Sequence, residues 1–336
     1  MIRGQGFGHA KIILIGEHGV VHGQPALAAG LGVGVSAQAM TGSGRLSVPA
    51  WSLTAKAGDG SPVGRALAAI LTRLRADDLD FHAEAAIPSR AGLGSSAAMA
   101  VAIARAAVAA SAAGRQPPAA EHDDQGAAPE DDLPLLRQAV DDAEAVFHGT
   151  PSGIDAAAAL GGGVGRFQRG QGWRPVAVAQ AMRVCVGLTG RPRDTSAQVA
   201  SVARLRERVP AIAKMLALFG DLVDAGERAL AIGDIDGLGR LFDVAHGLLC
   251  ALRVSSPAIE ALVHGARAAG AIGAKLTGAG GGGAVIALAP GHEPDVIARW
   301  RREGFDGFVT IIGNPDSLPV MADDHGVGHD RDRGSR

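Results

Sequence analysis

The chain has 336 residues, 47% of them hydrophobic, with 49 glycines, no tyrosine and a formal net charge of −2. Such a length suits two domains at roughly 150 residues each, with cores built from Ala, Val, Leu and Ile. Nothing in the near-neutral charge marks a nucleic-acid binder, and no nucleic-acid partner is expected; Cys185 and Cys250 make no disulfide framework and lack metal-ligand spacing. They read as small hydrophobes in a reducing compartment. Residues 1–6 lack signal-peptide architecture. No apolar stretch of about 18 residues reads as membrane-spanning, since the Ala-rich run from Ala97 carries Arg105. A soluble cytoplasmic protein is expected, with no membrane partner.

In chain order, residues 10–15 are apolar around Lys11 and read as a buried strand. The loop Gly16-Glu17-His18-Gly19-Val20-Val21-His22-Gly23 follows, and residues 25–39 suggest a second strand. Residues 46–53 read as an edge strand. Ser61-Pro62 marks a helix start, continued by Leu67, Ile70, Leu71 and Leu74. Residues 81–87 form a short strand, and residues 97–113, almost pure Ala and Val, a helix.

Between that strand and helix lies Pro88-Ser89-Arg90-Ala91-Gly92-Leu93-Gly94-Ser95-Ser96-Ala97-Ala98. The first N–H groups of a helix lack intrahelical partners, and the helix dipole is positive there. Gly92 and Gly94 remove the Cβ atoms that would hold a ligand away. The stretch is therefore an anion site, most naturally for phosphate, or else a capped helix following a tight turn.

Residues 114–132 are rich in Pro, Gly and acid and read as an exposed loop. A helix over residues 134–147 sets Glu144 beside its apolar stripe. His148-Gly149-Thr150-Pro151-Ser152-Gly153-Ile154-Asp155 links it to a small-residue run and a strand ending near Phe167. The polar turn 168–174 is a domain boundary, giving domains 1–170 and 171–321 and a disordered tail, 322–336. The second domain begins with a strand around Cys185 and a basic loop, Gly190-Arg191-Pro192-Arg193-Asp194-Thr195. Helices over 196–208, 210–232, 235–252 and 256–269 follow. A second glycine loop, Lys275-Leu276-Thr277-Gly278-Ala279-Gly280-Gly281-Gly282-Gly283, then feeds the strand 284–288. A helix over 293–302 and a strand over 307–312 close the domain.

Together the polar clusters supply what phosphoryl transfer needs, which is mostly positioning and electrostatic stabilisation. The central loop offers a phosphate cradle. Ser96 and Glu144 are hard oxygen ligands of the kind Mg²⁺ takes. Asp155 is a candidate to accept a hydroxyl proton, and Lys11 is a cation available beside it.

These motifs, in this order, resemble those of the GHMP kinase family, whose ATP loop is not of the Walker type. The wording of residues 16–23, of Glu144 with residues 148–155, and of residues 275–283 is most similar to the mevalonate kinase branch. The resemblance covers residues 8–313 and implies an α+β pair of domains with the active site in the interdomain cleft. It implies ATP and Mg²⁺ as cofactors and phosphorylation of the primary hydroxyl of (R)-mevalonate, a small-molecule partner. By it, Asp155 is the catalytic base, with Lys11 beside it. Ser96 and Glu144 hold the metal, and Arg90, Ala91, Gly92, Leu93, Gly94, Ser95 and Ser96 cradle the triphosphate. Glu17, His18, Ser152, Thr195, Gly278 and Ala279 lie near the substrate. The alternatives are another GHMP kinase acting on phosphomevalonate or a sugar, and a non-catalytic metabolite-binding relative. Oligomeric state is open, a homodimer included.

Overall fold

The computed structural model describes residues 2–113, 133–149, 151–191 and 194–313. The acidic stretch 114–132, Arg193 and the tail 322–336 lie outside the described residues.

The first layer is a seven-stranded sheet. Its spine is β2 (Ala26–Thr41), which carries β1 (Ile2–Ile15) along one edge. The other edge carries β6 (Val164–Gln168) and then β5 (Leu79–Ala85). The long strand β1 starts at Ile2, well before the apolar run at Ala10. Its first half is written in glycine because a helix lies directly on it. That helix, α2 (Ser95–Ala113), presents the backbone of Ala98, Ala102 and Ala106. A Cβ on Gly8, Gly6 or Gly4 would fall 2.0, 2.2 or 2.3 Å from their carbonyl oxygens. A period of two on the strand thus meets a period of four on the helix.

By length and composition α2 could cross a membrane, but 67% of its apolar window is buried inside the protein. Its Arg105 donates to the carbonyls of Phe7 (2.6 Å) and Leu160 (2.8 Å). Over the same face pack α1 (Pro62–Leu74), capped by Ser61, and α3 (Leu133–His148). The expected edge strand over 46–53 is instead two, β3 (Arg45–Val48) and β4 (Leu53–Lys56), split by a 3₁₀ turn at Pro49, which has no N–H to donate to a ladder.

The second layer is a four-stranded sheet in the order β11-β8-β10-β9. Its strands are β8 (Met182–Leu188), β9 (Gly273–Thr277), β10 (Ala284–Leu288) and β11 (Asp306–Ile312). The polar turn after Phe167 does not open this layer. It is the tip of a hairpin in which β7 (Gly172–Pro175) pairs back onto β6, because Arg174 and Trp173 continue the ladder opposite Arg166 and Phe167. The chain enters the second sheet at Met182.

Helices α5 (Thr195–Arg208), α6 (Ala211–Ile232), α7 (Ile235–Ala251), α8 (Pro257–Ala268) and α9 (Glu293–Arg302) complete this half. Phe219, Phe242 and Trp300 anchor its core, and the Trp300 indole donates to the Leu262 carbonyl at 2.8 Å. One core cluster runs through both halves, from Ile12 and Leu14 to Val285 and Leu276. The layers are also joined by hydrogen bonds: the Thr277 hydroxyl accepts from Ile13 N–H (2.8 Å) and donates to the Ile13 carbonyl (3.0 Å).

Candidate active site

Lys11 sits on β1, its side chain 1% exposed, with Nζ 2.9 Å from Asp155 Oδ1. Its backbone N–H donates to the Leu93 carbonyl at 2.9 Å, so the strand is tied directly to the first glycine loop. Gly94, at φ +71°, lies against the lysine stem; a Cβ there would come 2.8 Å from Lys11 Cγ. The need for glycine at this position is thus conformational and steric together.

Asp155 opens α4 (Ile154–Gly161), behind Gly153 at φ +88°. Its side chain is 24% exposed, so the pair is buried at the lysine end and open at the carboxylate end. Glu144, on α3, is buried, and its Oε1 has no hydrogen-bond partner among the described residues. Burial first, then the Asp155 charge, pushes its carboxyl up to about 8. His148, one helical turn on, places Nε2 3.8 Å from Glu144 Oε2 and 3.4 Å from Ser96 Oγ. The Ser95 hydroxyl accepts from Arg90 N–H at 3.3 Å.

Two cavities meet at Asp155. One, of 760 Å³, runs over Arg90, Gly92, Gly94, Ser95 and Ser96 and continues to Trp51, Leu53 and Phe147. The other, of 390 Å³, is walled by Glu144, Ser152, Asp155 and Arg169. Thr195 and Ser196, at the start of α5, and His148 line both. Arg169, which donates to the Pro151 carbonyl at 3.2 Å, is the cation on the wall of the smaller cavity among the described residues. Sequence reasoning passed over it because it stands in a polar turn with no motif around it. Its cue is the fold, since the β6–β7 hairpin brings residue 169 back beside residue 151.

Glu17, His18, Gly278 and Ala279 differ from the expectation of a substrate-facing role. The structure places them in the seam between β1 and β9, where none of them lines either cavity. Glu17 is fully buried against Lys275. Burial pushes its carboxyl up and the Lys275 ammonium down, and their mutual charge opposes both shifts. His18 Nε2 lies 2.9 Å from the Ala279 carbonyl. The second glycine loop is likewise packed: a Cβ on Gly280 would meet the Val254 carbonyl at 2.1 Å, and one on Gly281 the Gln198 amide at 2.3 Å.

A second polar cluster, on α7 and α8, brings His246, Cys250 and Glu260 together. His246 Nδ1 accepts from Leu276 N–H (3.4 Å), which puts the ring proton on Nε2, 3.2 Å from Glu260 Oε1. That bonding suits a strut for the edge of β9 rather than a metal centre.

The comparisons with known proteins agree with this geometry. The model for the GHMP kinases N terminal domain matches residues 61–163, and that for GHMP kinases C terminal matches residues 227–306. The chain belongs to the GHMP kinase family. Among its relatives in that family, a mevalonate kinase of Pyrococcus abyssi is 32% identical over 90% of this chain and 93% of its own length. One from Aeropyrum pernix is 36% identical over 83% of this chain and 86% of its own. Among solved GHMP kinase structures, L. major mevalonate kinase in complex with R-mevalonate superposes with a TM-score of 0.77 at 25% identity, covering 95% of this chain and 97% of that one. The two-domain α+β architecture and the family membership expected from the motifs are thereby established, and this kinase carries both of its glycine loops inside the matched halves.

Proposed function

We propose that this kinase transfers the γ-phosphoryl group of ATP to the primary hydroxyl of (R)-mevalonate, giving ADP and 5-phosphomevalonate. The observation that carries the reading is the Lys11–Asp155 pair, at 2.9 Å, standing where the two cavities meet. The larger cavity takes ATP, with the triphosphate over Gly92 to Ser96 at the positive end of α2. The smaller cavity takes the acceptor.

Asp155 accepts the proton of the acceptor hydroxyl as its oxygen attacks the γ-phosphorus and the bond to ADP breaks. Lys11 lies beside both the base and the phosphoryl oxygens and offsets the negative charge gathered there. Ser96 and Glu144 suit Mg²⁺: two hard oxygens converge, and Glu144 Oε1 is buried without a partner, at a cost that a cation removes. When bound, the ion neutralises phosphate charge and orients the triphosphate.

Arg169 suits the acceptor carboxylate, since guanidinium pairs with carboxylate in two-point geometry. A phosphorylated acceptor would call for further cations in this cavity. Arg191 instead lines another cavity, with Arg90, and not the smaller one. Free cysteines at 185 and 250 accord with a reducing, cytoplasmic setting.

A coupled ADP-release assay with mevalonate, phosphomevalonate, homoserine and galactose tests the reading. Turnover is expected with mevalonate. Turnover with one of the others and none with mevalonate would refute the acceptor assignment.

A further inference from the structure

His148 takes no part in the proposed chemistry, yet it stands among the groups that do. Glu144 and His148 are one turn apart on α3, so their side chains share a face. Across from them is Ser96, in the first turn of α2. His148 lines both cavities, whereas the Glu144 side chain is only 2% exposed.

The spacing of these three groups is not that of a hydrogen-bonded network. His148 Nε2 is 3.8 Å from Glu144 Oε2, too far for a hydrogen bond, and 3.4 Å from Ser96 Oγ, longer than a well-formed one. Glu144 Oε1, buried beside them, has no hydrogen-bond partner among the described residues. Donor atoms on an octahedral ion stand about 3.0 Å apart in neighbouring positions and about 4.2 Å apart in opposite ones, for bonds of about 2.1 Å. Both His148 distances fall between those limits. The cluster of His246, Cys250 and Glu260 differs, because Leu276 N–H and Glu260 engage the two nitrogens of its ring.

We propose that His148 Nε2 is a third protein ligand of the divalent cation, which makes the site a mixed oxygen and nitrogen one that takes Mn²⁺ and Co²⁺ more tightly than Mg²⁺. This rests on the reading of Ser96 and Glu144 as metal ligands. An imidazole nitrogen is a softer donor than a carboxylate or hydroxyl oxygen and favours ions later in the first transition row. Mg²⁺ keeps several waters and takes one more in place of a protein group at little cost. Residue 148 therefore sets which ion the kinase prefers, and Ser96 and Glu144 set that it holds one.

The test is spin-echo EPR of Mn²⁺ bound to the full chain with the imido analogue of ATP, which needs no turnover. Wild-type protein should show coupling to a histidine nitrogen, identified by its change when histidine alone carries heavy nitrogen. The coupling should vanish in His148→Ala while Mn²⁺ stays bound. By calorimetry, Co²⁺ should bind that variant at least about 10-fold more weakly than wild type, the low end of what even an outer group of a metal site contributes. Mg²⁺ affinity should change less than about threefold. Bound Mn²⁺ with no histidine coupling in wild type, or coupling unchanged in His148→Ala, overturns the proposal. If His148→Ala does not fold, His148→Gln, which fills the space without a ring nitrogen, is judged by the same criterion. Glu144→Gln separates the two readings. Mn²⁺ binding unchanged by it refutes the Ser96 and Glu144 metal site and the proposal with it, whereas Glu144-dependent Mn²⁺ without histidine coupling overturns the proposal alone.

Discussion

Lys11–Asp155 and Lys275–Glu17 are the same chemical pair in two settings, and the contrast between them separates chemistry from architecture. Both lysines are buried, at 1% and 0% side-chain exposure. Taking an ion pair out of water costs several kcal/mol per ion, and apolar residues often pack as well. Such a pair calls for a reason beyond stability. The first opens onto two cavities through its carboxylate. The second is closed at both ends and spans the two sheets. One can meet a substrate, and the other can act only through what it touches.

Breaking the open pair should have the largest effect. Asp155→Asn keeps the shape and removes the proton acceptor, so kcat should drop by about 10³- to 10⁴-fold while nucleotide affinity, measured by a fluorescent analogue, holds. Turnover near wild type would remove Asp155 from the base role.

Glu144→Gln comes next, with a loss of about 100-fold in kcat and weaker dependence on Mg²⁺. It also carries a pH signature. Its carboxyl is pushed up to about 8 in the folded chain, from an ordinary value of 4.5, by burial and by the Asp155 charge. Between those two pH values the folded state holds a proton that the unfolded state has released. Without a divalent cation, stability should therefore fall as pH rises from about 4.5 to about 8. Thermal melts across that range should show the slope, Mg²⁺ should lift the alkaline end, and Glu144→Gln should flatten both responses.

Gly94→Ala tests the wall of the open pair. Its φ of +71° costs a side chain about 1–2 kcal/mol, and the new Cβ presses on Lys11. A roughly tenfold fall in kcat is expected, compared with little change in kcat for alanine at Gly23, which has a similar φ of +86° and bears the same backbone cost but has open space around it.

Thr277→Val, in the closed seam, should change activity least and stability most plainly. It strands the buried Ile13 N–H at a cost of about 1–3 kcal/mol, enough to lower Tm by several degrees. A fall in kcat larger than that for Gly94→Ala would mean that the seam is closer to the chemistry than its burial suggests.

The two glycine loops show how far composition can be read. Gly92 and Gly94 were legible as an open turn at a helix start, and they line a cavity, because strand, glycine turn, hydroxyls and an alanine helix follow one another directly in the chain. The helix N-terminus is a local fact. Residues 278–283 look alike in composition, yet their glycines answer to Val254 and Gln198, and the loop lines neither cavity. The partners of Glu17 and His18 were illegible for the same reason. A polar pair after a strand reads as exposed, and nothing nearby in the chain tells that Lys275, 258 residues away, will close over it.

By itself the sequence determined the local elements and the order of the motifs. Ala-rich runs made helices, Ser61 and Asp194 capped them, and the spacing of Lys11, Ser96, Glu144 and Asp155 carried the family resemblance. These follow from residue propensities and from groups a few positions apart. Only the tertiary structure decided which charges share a site. It set Asp155 on Lys11 and Glu17 on Lys275, brought Arg169 to the cavity, and demanded glycine at positions 4, 6 and 8. The physical reason is that electrostatic partners and close backbone approaches depend on distance in space, and in this fold the decisive contacts join the first strand to residues as far along the chain as Ala98, Asp155 and Thr277.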